Sequence, residues 1–269
     1  MNRDYLAVAN EYAEQILSDT IPACRYVQQA CQRFIDDLSR EDFAYTIDPA
    51  KAHRACQFIE LMPHIKGKWS GKSIILEPWQ VFLLVNVFGW VDSKGLRRFK
   101  TIYTEVPRKN AKSTLSSGVA LYLLSADAEA GAEVYSAATT RDQARIVFAD
   151  AKRMVERSEG LRRRFGVGTS AHAIYVEDSA SSFKALSRDQ GGNLDGLNIH
   201  AAIVDELHAH KTRDVWDVIE TATGAREQPL LWAITTAGFN RSGMNGTYFS
   251  FLGCPFILTS SLAACLCLM

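Results

Sequence analysis

The sequence has no excess charge of either sign: 30 Lys and Arg stand against 30 Asp and Glu over 269 residues. Overall charge therefore makes no case for nucleic-acid binding, and only a local basic patch could. No secretory leader is expected, because Asn2 to Glu14 is polar and charged where an apolar run would be required. Cys24, Cys31, Cys56, Cys254, Cys265 and Cys267 have the spacing of neither a zinc site nor a disulfide framework, so reduced thiols in a cytosolic protein are expected. After Arg241 there is no Asp, Glu, Lys or Arg at all. Phe251 to Met269 barely reaches the length of a membrane span, with Pro255 against it, and no membrane association is expected. The abrupt shift in composition predicts an aberrant tail over 242–269, from a truncated gene product read out of frame or through an insertion.

What is present is 47% apolar, enough for one large α/β domain or two small ones. Residues 1–66 read as a helical N-terminal region. Tyr5, Leu6, Ala9, Tyr12, Ala13, Ile16 and Leu17 recur at helical spacing, as do Tyr26, Val27, Ala30, Phe34, Ile35 and Leu38. Asp48-Pro49 reads as an N-cap followed by proline at the first helical position. Gly67-Lys-Trp-Ser-Gly-Lys-Ser73 superficially resembles a phosphate loop, but no strand precedes it, and a turn or hairpin is predicted. Glu77-Pro-Trp-Gln80 then opens an apolar helix to Trp90. Gln80 carries a donor and an acceptor that could pair with an adenine edge, and Trp79 could pack on the base or on the core.

Thr101 to Val106 is β-rich and runs straight into Pro107-Arg-Lys-Asn-Ala-Lys-Ser-Thr114, ahead of a small-residue helix from about Ser113 to Ser125. Strand, tight turn, Lys-Ser and helix start together make a phosphate-binding device: backbone N–H groups and the helix dipole face the anion. The usual signature has two glycines, where this chain has Val106 and Ala111. Lys112 would neutralise β- and γ-phosphate charge, the Ser113 hydroxyl would hold Mg²⁺, and Arg108 could reach the γ-phosphate as a finger. A solvated basic turn is the plain alternative.

A second strand, Ala132 to Ala138, leads into a helix to about Arg157, capped by Thr139 or Thr140. Its polar face carries Arg141, Arg145, Lys152, Arg153 and Arg157, with Arg162-Arg-Arg164 beyond; a solvated face and a DNA-backbone contact both fit. Two short strands, His172 to Val176 and Ser182 to Ser187, precede a Gly-rich loop, Gly191 to Gly196. Ile199 to Glu206 is an apolar strand ending in adjacent carboxylates. In a phosphate-loop hydrolase Asp205 holds the Mg²⁺ shell and Glu206 orients or deprotonates the attacking water; their adjacency on a strand would point them to opposite faces. His208 and His210 follow, without a third ligand group for a transition metal. A helix from about Asp214 to Ala225 leads to the strand Leu230–Gly238, whose hydroxyls, Thr235 and Thr236, could sense a γ-phosphate.

Taken in order, Glu77–Gln80, Val106–Ser113, Ala137–Ala144, Leu194–Asn198, Ile203–His208 and Thr235–Gly238 closely resemble the ATPase half of the large terminase subunit of tailed bacteriophages, over roughly residues 45 to 240. The resemblance implies a P-loop NTPase fold with a mostly parallel central sheet, and hydrolysis of ATP with Mg²⁺ to drive double-stranded DNA into the procapsid. It implies nucleotide binding by Trp79, Gln80, Pro107, Arg108, Lys109, Asn110, Ala111, Lys112, Ser113 and Thr114, with Arg108 and Glu206 catalytic. It makes Ser113 and Asp205 the Mg²⁺ residues and Thr235, Thr236 and Gly238 the coupling motif. Implied partners are the portal protein and the small terminase subunit, in a homo-oligomeric ring in the host cell cytoplasm. The ATPase domain is expected over 67–241, incomplete at its C-terminal end, with the family's nuclease domain absent. The alternatives are a fragment that binds nucleotide or partner subunits without turnover, and a generic or helicase-like P-loop ATPase.

Overall fold

The computed structural model describes residues 3–186, 196–210, 212–236 and 265–268, the last as backbone. Three amphipathic helices come first: α1 (Tyr5–Leu17), α2 (Arg25–Ser39) and α3 (Pro49–Glu60). Asp4 caps α1 by accepting from Ala7 N, and Asp48 caps α3 by accepting from Ala50 N and Lys51 N with Pro49 in the first turn. Tyr5, Ala9, Tyr12, Ala13 and Ile16 form the buried stripe of α1, as their helical spacing requires. A short hairpin-like sheet, β1 (Tyr45–Ile47) with β2 (Trp90–Asp92), joins this region to α4 (Pro78–Gly89). Residues 63–73 form the expected turn, closed by a Pro63–Ser73 bridge around a single 3-10 turn, Gly67–Trp69.

The remaining chain alternates strand and helix: β3 (Thr101–Glu105), α5 (Lys112–Ser125), β4 (Glu133–Ala137), α6 (Arg141–Arg157), α7 (Glu159–Phe165), β5 (Val167–Thr169), β6 (Ile174–Val176), β7 (Ser181–Ala185), β8 (Ile199–Asp205), α8 (Asp214–Thr221) and β9 (Leu230–Thr235). A final strand, β10 (Cys265–Leu268), lies in the segment expected to be aberrant and pairs antiparallel with β3. The large sheet has the order β10-β3-β9-β8-β4-β7-β6-β5. Its centre, β3-β9-β8-β4-β7, is parallel, and its flanks are antiparallel. Every residue of β8 and β9 is buried, the pattern of central parallel strands covered on both faces.

The short helix α7 and the strand β5 were not anticipated from sequence. Ser158 starts a new helix by accepting from Leu161 N, and Gly166 at φ 63° ends it before β5. The larger core runs on one side of the sheet and takes in α1 to α7, so the N-terminal helices share it with α4 and α5. Gly118 of α5 lets α3 approach closely, since a Cβ there would lie 3.1 Å from Ile59 Cγ2. The opposite side is covered by Trp216 and Ile219 of α8 against Tyr103, Tyr135, Leu231 and Ala233.

Candidate nucleotide site

The sheet order places β9 between β3 and β8, so three strand ends meet in register. Glu105 pairs with Thr235, and Asp205 pairs with Ile234. The loop after β3, the carboxylates ending β8 and the threonines ending β9 therefore converge at the carboxyl edge of the sheet, where ligands bind in open parallel folds. Val106 N donates to Thr235 O at 3.0 Å and ties the loop to the β9 end.

The loop turns through two left-handed residues, Lys109 at φ 70° and Ala111 at φ 55°, the latter being the N-cap of α5. Ala111 thus takes up the conformation that the usual second glycine supplies without steric cost. The Asn110 side chain donates to Pro107 O at 3.1 Å and holds the turn together. Pro107, Arg108, Lys109 and Ala111 are exposed, Asn110, Ser113 and Thr114 half-buried, and Lys112 is buried at 8% exposure. Ala111 offers no side chain to cap α5, so no N-cap side chain satisfies the first-turn N–H groups, the donors with which a helix start can meet an anion.

Lys112 Nζ lies 3.5 Å from Glu206 Oε1. The other Glu206 oxygen, Oε2, accepts from Thr236 Oγ1 at 3.3 Å. Strand β8 stops at Asp205: Glu206 is left-handed at φ 51°, and its N–H donates to Asp205 Oδ1 at 2.9 Å. The two carboxylates are therefore separated by a backbone turn rather than by strand alternation. Burial, then the neighbouring Glu206 charge, push the Asp205 carboxyl up to about 6. A metal ion beside such a buried carboxylate would favour its ionised form.

Trp79 and Gln80 occupy the first turn of α4. Gln80 Oε1 accepts from Glu77 N at 2.9 Å in a capping box, and Gln80 is buried. Trp79 packs, half-buried, on the main core. Neither hydrogen-bonds to the loop residues described here. Gly238 lies outside the described residues, as do Leu194 and Asp195 of the Leu194–Asn198 motif, and His208 is described only as backbone. Among the described residues no group of His, Cys, Asp and Glu forms a transition-metal cluster, and the buried Cys31 and Cys56 are free thiols. The basic face of α6 is partly engaged with protein: Lys152 donates to Ser170 O, Arg153 pairs with Asp150, and Arg157 donates to Ile65 O and Ser70 Oγ.

Parallel sheet, strand–loop–helix with a buried lysine, and a strand-end carboxylate pair define a P-loop nucleoside triphosphatase fold. The sequence matches the family described as terminase large subunit, ATPase domain, over residues 78–252, and the chain belongs to that family. The large terminase subunit of Enterobacteria phage HK97 is 31% identical over 196 residues, covering 71% of this chain and 37% of that protein. Protein YmfN of Escherichia coli (strain K12) is 41% identical over 87 residues, 32% of this chain and 18% of that protein. The crystal structure of the HK97 bacteriophage large terminase has a TM-score of 0.64 at 27% identity, covering 76% of this chain and 41% of the other. The chain thus spans well under half the length of these relatives. Membership of an ATPase-domain family implies nucleotide binding, and no described helix is long and apolar enough to cross a membrane.

Proposed function

We propose that this chain is the ATP-hydrolysing motor part of a phage terminase large subunit, turning nucleotide hydrolysis into translocation of double-stranded DNA into the procapsid. The observation that carries the reading is the meeting of Lys112, Glu206 and Thr236 beside buried Asp205 at one sheet edge. Residues 67–241 carry the motor unit in this reading, with 1–66 a helical buttress and 242–269 outside it.

The residues suit ATP and Mg²⁺. The uncapped first turn of α5 and the Lys112 ammonium offer positive charge to β- and γ-phosphates, while Asp205 and the Ser113 hydroxyl offer oxygen ligands to a hard cation. Mg²⁺, when bound, neutralises charge that develops on the transferring phosphoryl group. Lys112 turns from Glu206 toward phosphate, which frees one carboxylate oxygen. Glu206 then orients a water and takes its proton, while Thr236 holds the other oxygen and relays its position to β9. Arg108, exposed in the loop, swings in to stabilise transition-state charge, and Gln80 and Trp79 meet the adenine end. The portal protein, the small terminase subunit and sister copies in a ring are the expected partners, in the host cytoplasm.

Steady-state phosphate release with and without DNA, comparing the natural chain with Glu206→Gln, tests the motor reading. Equal rates would overturn it. A second reading is favoured by the Lys112–Glu206 pair itself: a chain that keeps this pair closed binds nucleotide or partner subunits without turnover. Saturable nucleotide binding with no release above that of Glu206→Gln would select it.

A further inference from the structure

At the end of α5 opposite Lys112 lies a cavity of about 180 Å³. Its wall brings together Lys51 and Arg54 from successive turns of α3, Arg97 ahead of β3, Tyr122 near the end of α5, and Asp127 just beyond it. Asp127 is taken: Arg97 donates to both of its oxygens, at 3.3 and 2.5 Å, and His200 Nε2 lies 2.8 Å from Oδ2. Among the described residues Lys51 donates only to a carbonyl, Gly95 O. The Arg54 guanidinium is exposed and donates to none of the described residues. The Tyr122 hydroxyl, whose pKa burial raises, stays protonated and is likewise without a hydrogen-bond partner among the described residues. Two cations and a phenol therefore point donors into a space whose one carboxylate among the described lining residues, Asp127, is already neutralised.

The carboxyl end of α5 opposes an anion here with about half a negative charge. The Lys51 and Arg54 charges outweigh it. We propose that this cavity is a second phosphate-binding site, taking a phosphate group either as free phosphate or as a phosphodiester of a nucleic-acid backbone. Arg54 supplies a forked pair of donors, Lys51 a point charge, and Tyr122 a neutral hydrogen bond. Helix α5, about 20 Å long at 1.5 Å per residue, would then carry a phosphate contact at each end.

Isothermal titration with inorganic phosphate, read alongside ³¹P line broadening, tests the site on the full chain. Lys112→Ala removes binding at the nucleotide loop, so any remaining site is read in that background. Saturable binding that survives Lys112→Ala, and that Arg54→Gln and Lys51→Gln each weaken about tenfold, is expected from loss of one charged hydrogen bond. Arg54 is exposed, so its variant retains the fold, which an unchanged melting temperature checks. A short DNA duplex that displaces phosphate, and loses affinity with Arg54→Gln, identifies the backbone as the source; phosphate binding that duplex leaves untouched identifies free phosphate. Binding abolished by Lys112→Ala, or untouched by both pocket variants, overturns the proposal.

Discussion

Lys112 and Glu206, 94 residues apart in the chain, meet at 3.5 Å with the Lys112 side chain 9% and the Glu206 side chain 28% exposed. A buried ammonium needs a counter-charge, and Glu206 supplies it from the end of β8, across β9. The same carboxylate is the candidate base. In the proposed mechanism, charge balance of the resting site and proton transfer in the working site depend on one group, and a change of partner by Lys112 would separate the two.

Glu206→Gln keeps the size of the side chain and its hydrogen bond to Thr236 while removing its basicity. Phosphate release is expected to fall by about 100-fold or more, the usual contribution of a positioned base. Nucleotide affinity, measured by equilibrium titration, should stay within a few-fold or rise, because Lys112 loses its internal competitor. Parallel losses of affinity and rate would show that Glu206 acts only in building the loop.

Thr236→Val is nearly isosteric and deletes the donor to Glu206 Oε2. Loss of one hydrogen bond to a charged group, about 1.5–3 kcal/mol, predicts a fall in kcat of roughly tenfold or more with little change in KM. A KM effect without a kcat effect would assign Thr236 to nucleotide binding instead.

Asp205 makes the metal-free protein pH-sensitive. Its folded carboxyl titrates at about 6 against an ordinary 3.8, so the folded state holds a proton that the unfolded chain has released between those values. Stability should be full below the ordinary value and decline as pH rises toward 6. Asp205→Asn should therefore raise the urea midpoint of metal-free protein at pH 7, by about 1–2 kcal/mol in stability, and flatten its decline between pH 4 and 6. The same variant should abolish Mg²⁺-dependent phosphate release. A midpoint unchanged at pH 7 would show that Asp205 is ionised at no cost.

Much of this site was legible in the residues. Lys112 and Ser113 after a β-rich run, and Asp205-Glu206 ending an apolar one, state strand–turn–helix and strand–carboxylate without any contact information. Asp48-Pro49 and Thr140 are the caps their residue types suggested. Backbone sign was not legible. Nothing in the sequence puts Ala111 and Glu206 in the left-handed region, because side chains disfavour it and only the assembled site holds them there. The Glu206 turn replaces the strand alternation that adjacency implied. Nor could sequence join Arg97, Asp127 and His200, which come from three separate segments and meet only through the order of β3, β9 and β8. The strand β10 was hidden for another reason: its composition departs from the globular norm, and pairing with β3 is a property of the assembled sheet edge.

The Arg97–Asp127–His200 group gives a separate acid limit. Asp127 is held below the ordinary carboxylate range: burial opposes ionisation, but the Arg97 charge and the bonds from His200 and Arg97 outweigh it. Its contribution is present above the unfolded value, near 3.8, and is lost as pH falls through the lower folded value. Asp127→Asn should cost about 3–5 kcal/mol at pH 7, because it leaves the buried Arg97 without its counter-charge. Urea unfolding at pH 7 and below pH 4 should show the gap between variant and natural chain closing in acid. A constant gap would place the cost in packing.

Ala111 offers the sharpest test of the loop itself. A left-handed alanine costs about 1–2 kcal/mol that glycine avoids, while glycine adds about 0.5–1 kcal/mol of unfolded-chain entropy. Ala111→Gly should therefore be neutral or stabilising by up to about 1.5 kcal/mol, with nucleotide affinity kept, since the α5 N–H groups stay where they are. Ala111→Val places a β-branched side chain at φ 55°, where its Cβ substituents crowd the following carbonyl. The turn must then open, the first-turn donors of α5 move off the phosphates, and nucleotide affinity should drop at least tenfold while the melting temperature of nucleotide-free protein falls by only a few degrees. Equal affinities for the Gly and Val variants would mean that Lys112 alone captures the phosphates and that the backbone cradle contributes nothing.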